Sequence, residues 1–251
     1  MVRRLWVVLG LAACWALTVA APGAAQIPDT FTNLKVLPKD IKKNELVSIM
    51  RGFSFALNVR CIHCHKGDDP ADLSTVDFAS DERENKRIAR TMMDMTTGIN
   101  ATLQTEIGAV RPKHLEVTCF TCHHGNRRPE TLEHALVTEL DAQGVDSTVV
   151  LYRRLRGEFY GGAAYDFGEW SLISIAENLS RDPKKLDAAL ALLNENLVHH
   201  DQSAGTYARI AETHLARGDT TSAMASFEKA LALAPEDPWL KRRVERLKTK
   251  K

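Results

Sequence analysis

From Glu45 to Leu57 the apolar residues Leu46, Met50, Phe53 and Leu57 recur in steps of 4, 3 and 4. That is the period of one helix face. The run from Glu84 to Ile99 repeats the same steps with Ile88, Met92, Met95 and Ile99. The two stripes superimpose at an offset of 42 residues, which places Asn58 on Asn100. Each predicted helix precedes the same five-residue pattern, Cys61-Ile62-His63-Cys64-His65 in one case and Cys119-Phe120-Thr121-Cys122-His123 in the other. Two residues separate Asn58 from Cys61 and 18 separate Asn100 from Cys119, so the second unit carries a 16-residue insertion. Gly67 and Gly125 each fall two residues after the closing histidine. A left-handed helix stop is expected there. The pattern predicts an internal duplication: helix, linker, Cys/His turn, twice over.

After Pro129 the character changes. Ala135 to Asp146 reads as a connection, and Val149 to Tyr160 as a packing helix. The stretch Tyr207 to Pro235 matches a tetratricopeptide pattern. Tyr207, Ile210 and Ala211 take the first-helix positions, Gly218-Asp219 the turn, and Ala223, Phe227, Ala230 and Pro235 the second helix and its stop. Ala189 and Leu193, 34 residues earlier, fall in register with Ala223 and Phe227. The first helix of that earlier unit is expected from about Phe167 to Leu179, and a capping helix from Trp239 to Lys251. Strand signals are few. The predicted fold is therefore mainly α: a duplicated helix-and-turn domain over residues 26–135, a connection and packing helix over 136–165, and a tetratricopeptide-like array over 166–251. Two repeats bury little on their own, so the array is expected to complete its core with a neighbouring helix.

The five-residue pattern carries the chemistry. Cys-x-x-Cys-His is the signature of a covalently attached c-type haem. On one helical turn, residues i, i+3 and i+4 share a face. Cys61 and Cys64, and likewise Cys119 and Cys122, would form thioethers to a porphyrin, while His65 and His123 would ligate iron. The alternative is zinc, which Cys/His clusters also suit. Histidine fills one axial position, and the group opposite it decides the function. Methionine gives an electron-transfer haem, whereas a vacant site permits peroxide or gas chemistry. Met50 sits 11 residues before Cys61, and Met92 holds the matching place in the second unit. Their recurrence in register marks both as candidate iron ligands rather than core methionines. Met95, one turn on, competes with Met92, and His114 in the insertion is a further candidate. His63, His124, His134, His199, His200 and His214 read as peripheral or structural.

The first 25 residues read as a targeting segment. Arg3 and Arg4 lead an apolar run from Leu5 to Ala20, and Gly23-Ala24-Ala25 offers small residues for cleavage. Leu11-Ala12-Ala13-Cys14 also resembles a lipobox, with Cys14 as a lipidated N-terminus, and Leu5 to Ala25 is long enough for an uncleaved anchor. Export to the periplasm is the common expectation. Four of the five cysteines belong to the two pentads and the fifth is Cys14, which leaves no pair for a structural disulfide. Net charge is +1, giving no footprint for nucleic acid. The basic end from Lys241 to Lys251 suits the dipole of a helix C-terminus.

These residues resemble the cytochrome subunit family of bacterial photosynthetic reaction centres. The resemblance covers Glu45 to Pro129. It rests on Met50-Arg51-Gly52-Phe53, Cys61-x-x-Cys64-His65, Phe78-Ala79-Ser80-Asp81, Lys86, Ala89-Arg90-Thr91-Met92-Met93-Asp94-Met95-Thr96, Ile99-Asn100 and Val117 through Gly125. It implies a methionine from the preceding helix as sixth ligand, which carries over to Met92. The chain departs from the family in having two pentads rather than four, in having Arg111 where a cross-ligating histidine is expected, and in its helical tail. The expectation is an exported carrier of single electrons between redox proteins, with two covalently bound haem c groups in His/Met ligation and no catalytic residues. The helical tail is read as a docking module, with a membrane-bound electron-transport complex as one partner. The competing expectation is a dihaem peroxidase or gas-binding protein with a displaceable sixth ligand.

Overall fold

The computed structural model describes residues 27–108 and 116–249, and among them the chain is mainly α-helical, with no strand beyond an isolated Lys66–Asp77 bridge. The targeting segment with Cys14, and Arg111 and His114 in the insertion, lie outside the described residues. Helix α1 spans Lys43–Leu57 and α2 spans Glu84–Thr102, so both stripes form the helices their period predicts. Helix α1 ends where Asn58 turns left-handed (φ 52°), a conformation asparagine tolerates. Helix α2 runs on into a π-helical turn at Leu103–Ile107.

The chain divides into two compact units. One holds residues up to Lys43 together with Arg60–Met93, and the other holds Asn44–Val59 and Asp94–Lys251.

In the first unit the lead-in and the loop after the first pentad are held by polar contacts. Asp81 is the hub. It accepts from Lys35 Nζ at 2.6 Å and from Asn33 Nδ2 at 2.8 Å, and pairs with Arg90 at 2.8 Å. Lys86 Nζ donates to the carbonyls of Phe78, Ala79 and Ser80 at 2.8, 3.0 and 2.8 Å. Three backbone carbonyls are thereby satisfied by one ammonium, which fixes a stretch that lies outside any helix. Gly67 does not take the expected left-handed conformation. It is buried, and a Cβ there would come within 2.8 Å of Val76 Cγ2. The glycine serves close approach of the returning loop, not helix termination.

The second unit contains the helical tail. Helix α3 is Cys119–His123, α4 Leu132–Gln143, α5 Val145–Phe159, α6 Glu169–Leu179, α7 Leu186–His199, α8 Ala204–Ala216, α9 Thr220–Leu233 and α10 Pro238–Lys248. The region expected as a connection from Ala135 to Asp146 is instead mostly helix α4. Thr131 caps it by accepting from the His134 backbone N–H, and Leu132, Leu136 and Leu140 form its inner face. Gly144 (φ 84°) makes the turn into α5. Consecutive helices pair as α4 with α5, α6 with α7, and α8 with α9. Side-chain caps start α8 at Ser203, α9 at Asp219 and α10 at Asp237; each such cap is worth about 1 kcal/mol.

One core cluster joins Leu136, Tyr152, Leu172, Ile173, Leu192 and Leu193, all essentially inaccessible. A second gathers Ala211, Phe227, Ala230, Leu240 and Val244. Several buried polar side chains are paired across hairpins. Asn196 Nδ2 donates to Glu169 O at 3.0 Å and to Thr206 Oγ1 at 2.8 Å. Glu195 is held bidentately by Arg153.

Candidate functional site

The first pentad begins as a 3₁₀ turn over Cys61–His63. His65 N–H reaches back to the Cys61 carbonyl at 3.0 Å, and Cys64 N–H to the same oxygen at 3.2 Å. One carbonyl therefore ties Cys61, Cys64 and His65 into a single turn, as the spacing requires. Asn85 Nδ2 donates to the His63 carbonyl at 3.1 Å, anchoring the turn to the N-terminal part of α2. The His65 ring meets the edge of Phe78 at 5.0 Å between centroids. Burial, then the nearby Lys86 charge, pushes the His65 pKa down, with the Phe78 carbonyl opposing. This favours the neutral imidazole, the form that binds metal. Its Nδ1 is buried without a hydrogen-bond partner. Burial, with the Cys61 charge adding to it, raises the Cys64 thiol pKa.

The second pentad is helix α3. Thr118 N–H donates to Thr121 Oγ1 at 3.0 Å, tying the helix start. His124 (φ 49°) and Gly125 (φ 88°) are both left-handed and end it, as expected at Gly125. Helix α1 lies against this turn. The Phe55 and Phe120 rings stack at 5.3 Å, and Gly125 N–H donates to the Ala56 carbonyl at 2.9 Å. Asn100 on α2 exchanges two hydrogen bonds with the Val117 backbone, at 2.8 and 2.7 Å. The lead-in to the pentad is fixed to α2 in this way, although the two residues stand 17 positions apart in sequence.

His123 is oriented by a neighbour. Its Nδ1 lies 2.9 Å from the Asn126 carbonyl. A carbonyl only accepts, so Nδ1 carries the proton and Nε2 presents its lone pair. That is the arrangement of a metal-ligating histidine, whose other ring nitrogen donates to a carbonyl or carboxylate.

The donor set fits haem better than zinc. A zinc site needs two thiolates and an imidazole converging within about 2.3 Å of one point. Among the described residues, no group of three or more His, Cys, Asp or Glu side chains could hold a metal ion. Cys61, Cys64, Cys119 and Cys122 are all free of disulfides. Thioether attachment of a haem needs no such convergence of the two thiols and the imidazole on one point, so the residues present fit it.

The stripe of α1 is buried or half-buried, whereas that of α2 is largely exposed. Helix α2 has no buried residue along its 19 positions. Ile88, Met95 and Ile99 on its stripe are 50%, 48% and 37% exposed. Burying such a side chain is worth about 1.5–3 kcal/mol, so among the described residues α2 presents a partly exposed apolar face. Met92 is half-buried on α2, in the first unit, and Met50 is half-buried on α1, in the second.

Sequence reasoning missed Asn100, Asn126 and Tyr165. Asn126 Nδ2 donates to the Tyr165 hydroxyl at 2.7 Å, 39 residues away. The register of Asn100 with Asn58 marked that position without indicating its role; the other two carry no periodic signal.

No helix among the described residues is long and apolar enough to cross a membrane. A family model described as the photosynthetic reaction centre cytochrome c subunit matches residues 12–149. The match takes in both pentads, both stripes and α4, and so extends past the Pro129 limit read from the sequence. It covers more than half of the chain, and the chain therefore belongs to the photosynthetic reaction centre cytochrome c subunit family, a family of extracytoplasmic c-type cytochromes that carry electrons on covalently bound haem c.

Proposed function

We propose that this chain is a dihaem electron carrier, exported to the periplasm, with one haem c on Cys61, Cys64 and His65 and the other on Cys119, Cys122 and His123. Met50 and Met92 are assigned as the sixth ligands. The observations that carry the reading are the partly exposed apolar stripe of α2 and, taken separately, two Cys/His turns: burial favours the neutral form of His65, and the Asn126 carbonyl orients His123 so that Nε2 presents its lone pair. Bound haem c supplies reversible one-electron chemistry.

The chain's own residues supply position and environment. The Cys61 carbonyl holds the first turn closed, Asn85 ties it to α2, and Phe78 limits rotation of His65. Thr121, Asn100 and Ala56 hold the second turn. Apolar residues of α1 and α2 would keep water from bound haem, which would lower the local dielectric and shape the potential. Met50 or Met92 as a ligand would raise that potential and leave no position for a substrate.

Residues 166–251 are read as tetratricopeptide-like hairpins that dock a redox partner or a membrane-bound electron-transport complex. The paired helices α6/α7 and α8/α9 with α10 against α9 support this, since stacked hairpins present extended binding surfaces. Membership of a reaction-centre family points to a photosynthetic complex as one such partner.

A redox titration followed by optical spectroscopy tests the reading. Two low-spin couples, each with the far-red thioether–iron band, are expected. A high-spin component that binds carbon monoxide rapidly in the reduced protein would indicate a peroxidase or gas-binding protein instead.

A further inference from the structure

Asn126 is pinned on every polar atom. Its N–H donates to the His123 carbonyl at 2.7 Å, and its own carbonyl accepts from His123 Nδ1 at 2.9 Å. Its Oδ1 accepts from the Arg128 N–H at 3.2 Å, and its Nδ2 donates to the Tyr165 hydroxyl at 2.7 Å. Three of these contacts lie within the turn itself. The fourth comes from a residue beyond the family match, which ends at residue 149.

Tyr165 is a rigid anchor. It is 8% exposed, belongs to the main core cluster of the helical tail, and meets Phe159 edge-on at 5.3 Å and Phe167 at 6.1 Å. Cys122 and Tyr165 also border one cleft of about 730 Å³, with His124, Arg128, His134 and Ser174 among its walls. Residues of the tail therefore line the space beside the second thioether cysteine.

We infer that Tyr165 is a positioning residue for the second haem: through Asn126 it fixes the hydrogen bond on His123 Nδ1, and so sets the orientation and basicity of that iron ligand from within the helical tail. This inference rests on the placement of a haem on His123 argued above. The partner of the second ring nitrogen raises ligand basicity, and a more basic ligand favours ferric over ferrous iron. Removing the anchor lets the Asn126 carbonyl move off Nδ1 and raises the potential of the second haem alone. The helical tail is then part of the second haem site and not only an appended module.

The test is Tyr165→Phe in the full-length holoprotein. The two redox couples are told apart in a Cys61→Ser/Cys64→Ser background that retains the second haem. The second couple is expected to shift upward while the first stays fixed, and the His123 Nδ1 proton is expected to exchange faster by NMR. Phe159→Leu loosens the same packing but keeps the hydroxyl, and should lower stability without moving either couple. Asn126→Ala keeps the backbone carbonyl but loses its anchor, and should reproduce the Tyr165→Phe shift even if that variant folds poorly. An unchanged second couple in Asn126→Ala, or equal shifts of both couples in Tyr165→Phe, overturns the inference. Absence of a second couple in the wild-type protein contradicts the dihaem assignment instead.

Discussion

Asn100 and Val117 are joined by two reciprocal hydrogen bonds, from Asn100 Nδ2 to the Val117 carbonyl and from the Val117 N–H to Asn100 Oδ1. The amide thus substitutes for a strand neighbour and holds the entry to the second pentad on α2. In Asn100→Ala both backbone groups lose their partner. Leaving partly buried groups unsatisfied costs about 1–3 kcal/mol. Urea unfolding of the holoprotein should show a loss of that order.

Met50→Ala and Met92→Ala should each affect one haem and spare the other. Methionine ligation raises the potential, so one couple should fall in each variant, its far-red band should disappear, and the reduced protein should bind carbon monoxide at that haem. Met92→Ala with both bands intact would move the assignment to Met95. The stepwise measurement also identifies which methionine serves which pentad.

Phe227 is fully buried between α8, α9 and α10 and meets Trp239 edge-on at 5.9 Å. Phe227→Ala removes that ring from a closed cluster, and such truncations cost about 3–5 kcal/mol. Thermal unfolding should shift accordingly. Haem spectra should remain those of the wild type, because this cluster is separate from the one that includes Tyr165.

Acid should weaken the first unit through Asp81. Arg90, then Lys35, hold its carboxyl well below the usual carboxylate range. A carboxylate whose pKa falls on folding adds stability above its unfolded value of about 3.9. That contribution is lost as pH falls from there toward the folded value. The urea midpoint should therefore decline below about pH 4, and Asp81→Asn should start lower at neutral pH and decline less steeply. Parallel profiles for the two proteins would contradict this.

Much of the helical layout was legible in periodicity. Steps of 4, 3 and 4 located α1 and α2, and the alanine and phenylalanine register located α7 to α9, because each of these helices buries or presents one continuous face. Helix α4 escaped notice although Leu132, Leu136 and Leu140 are spaced as a helix face. Its few apolar positions among polar ones resembled a connection until α5 and α6 supplied a surface to pack on. Gly67 stands at the same distance from its pentad as Gly125, which predicts a helix stop, yet it answers to the Val76 side chain. The pentads announced their chemistry through fixed local spacing. The orientation of His123 did not, since it depends on Asn126 and on Tyr165, contacts that follow from tertiary folding and leave no trace in local sequence.

Mass spectrometry of the purified, mature protein tests the central claim most directly. The mass should exceed that of the polypeptide by two haem groups. Cys61→Ser/Cys64→Ser and Cys119→Ser/Cys122→Ser should each remove one of them. A wild-type mass equal to that of the bare polypeptide, or unchanged by both substitutions, would contradict the account.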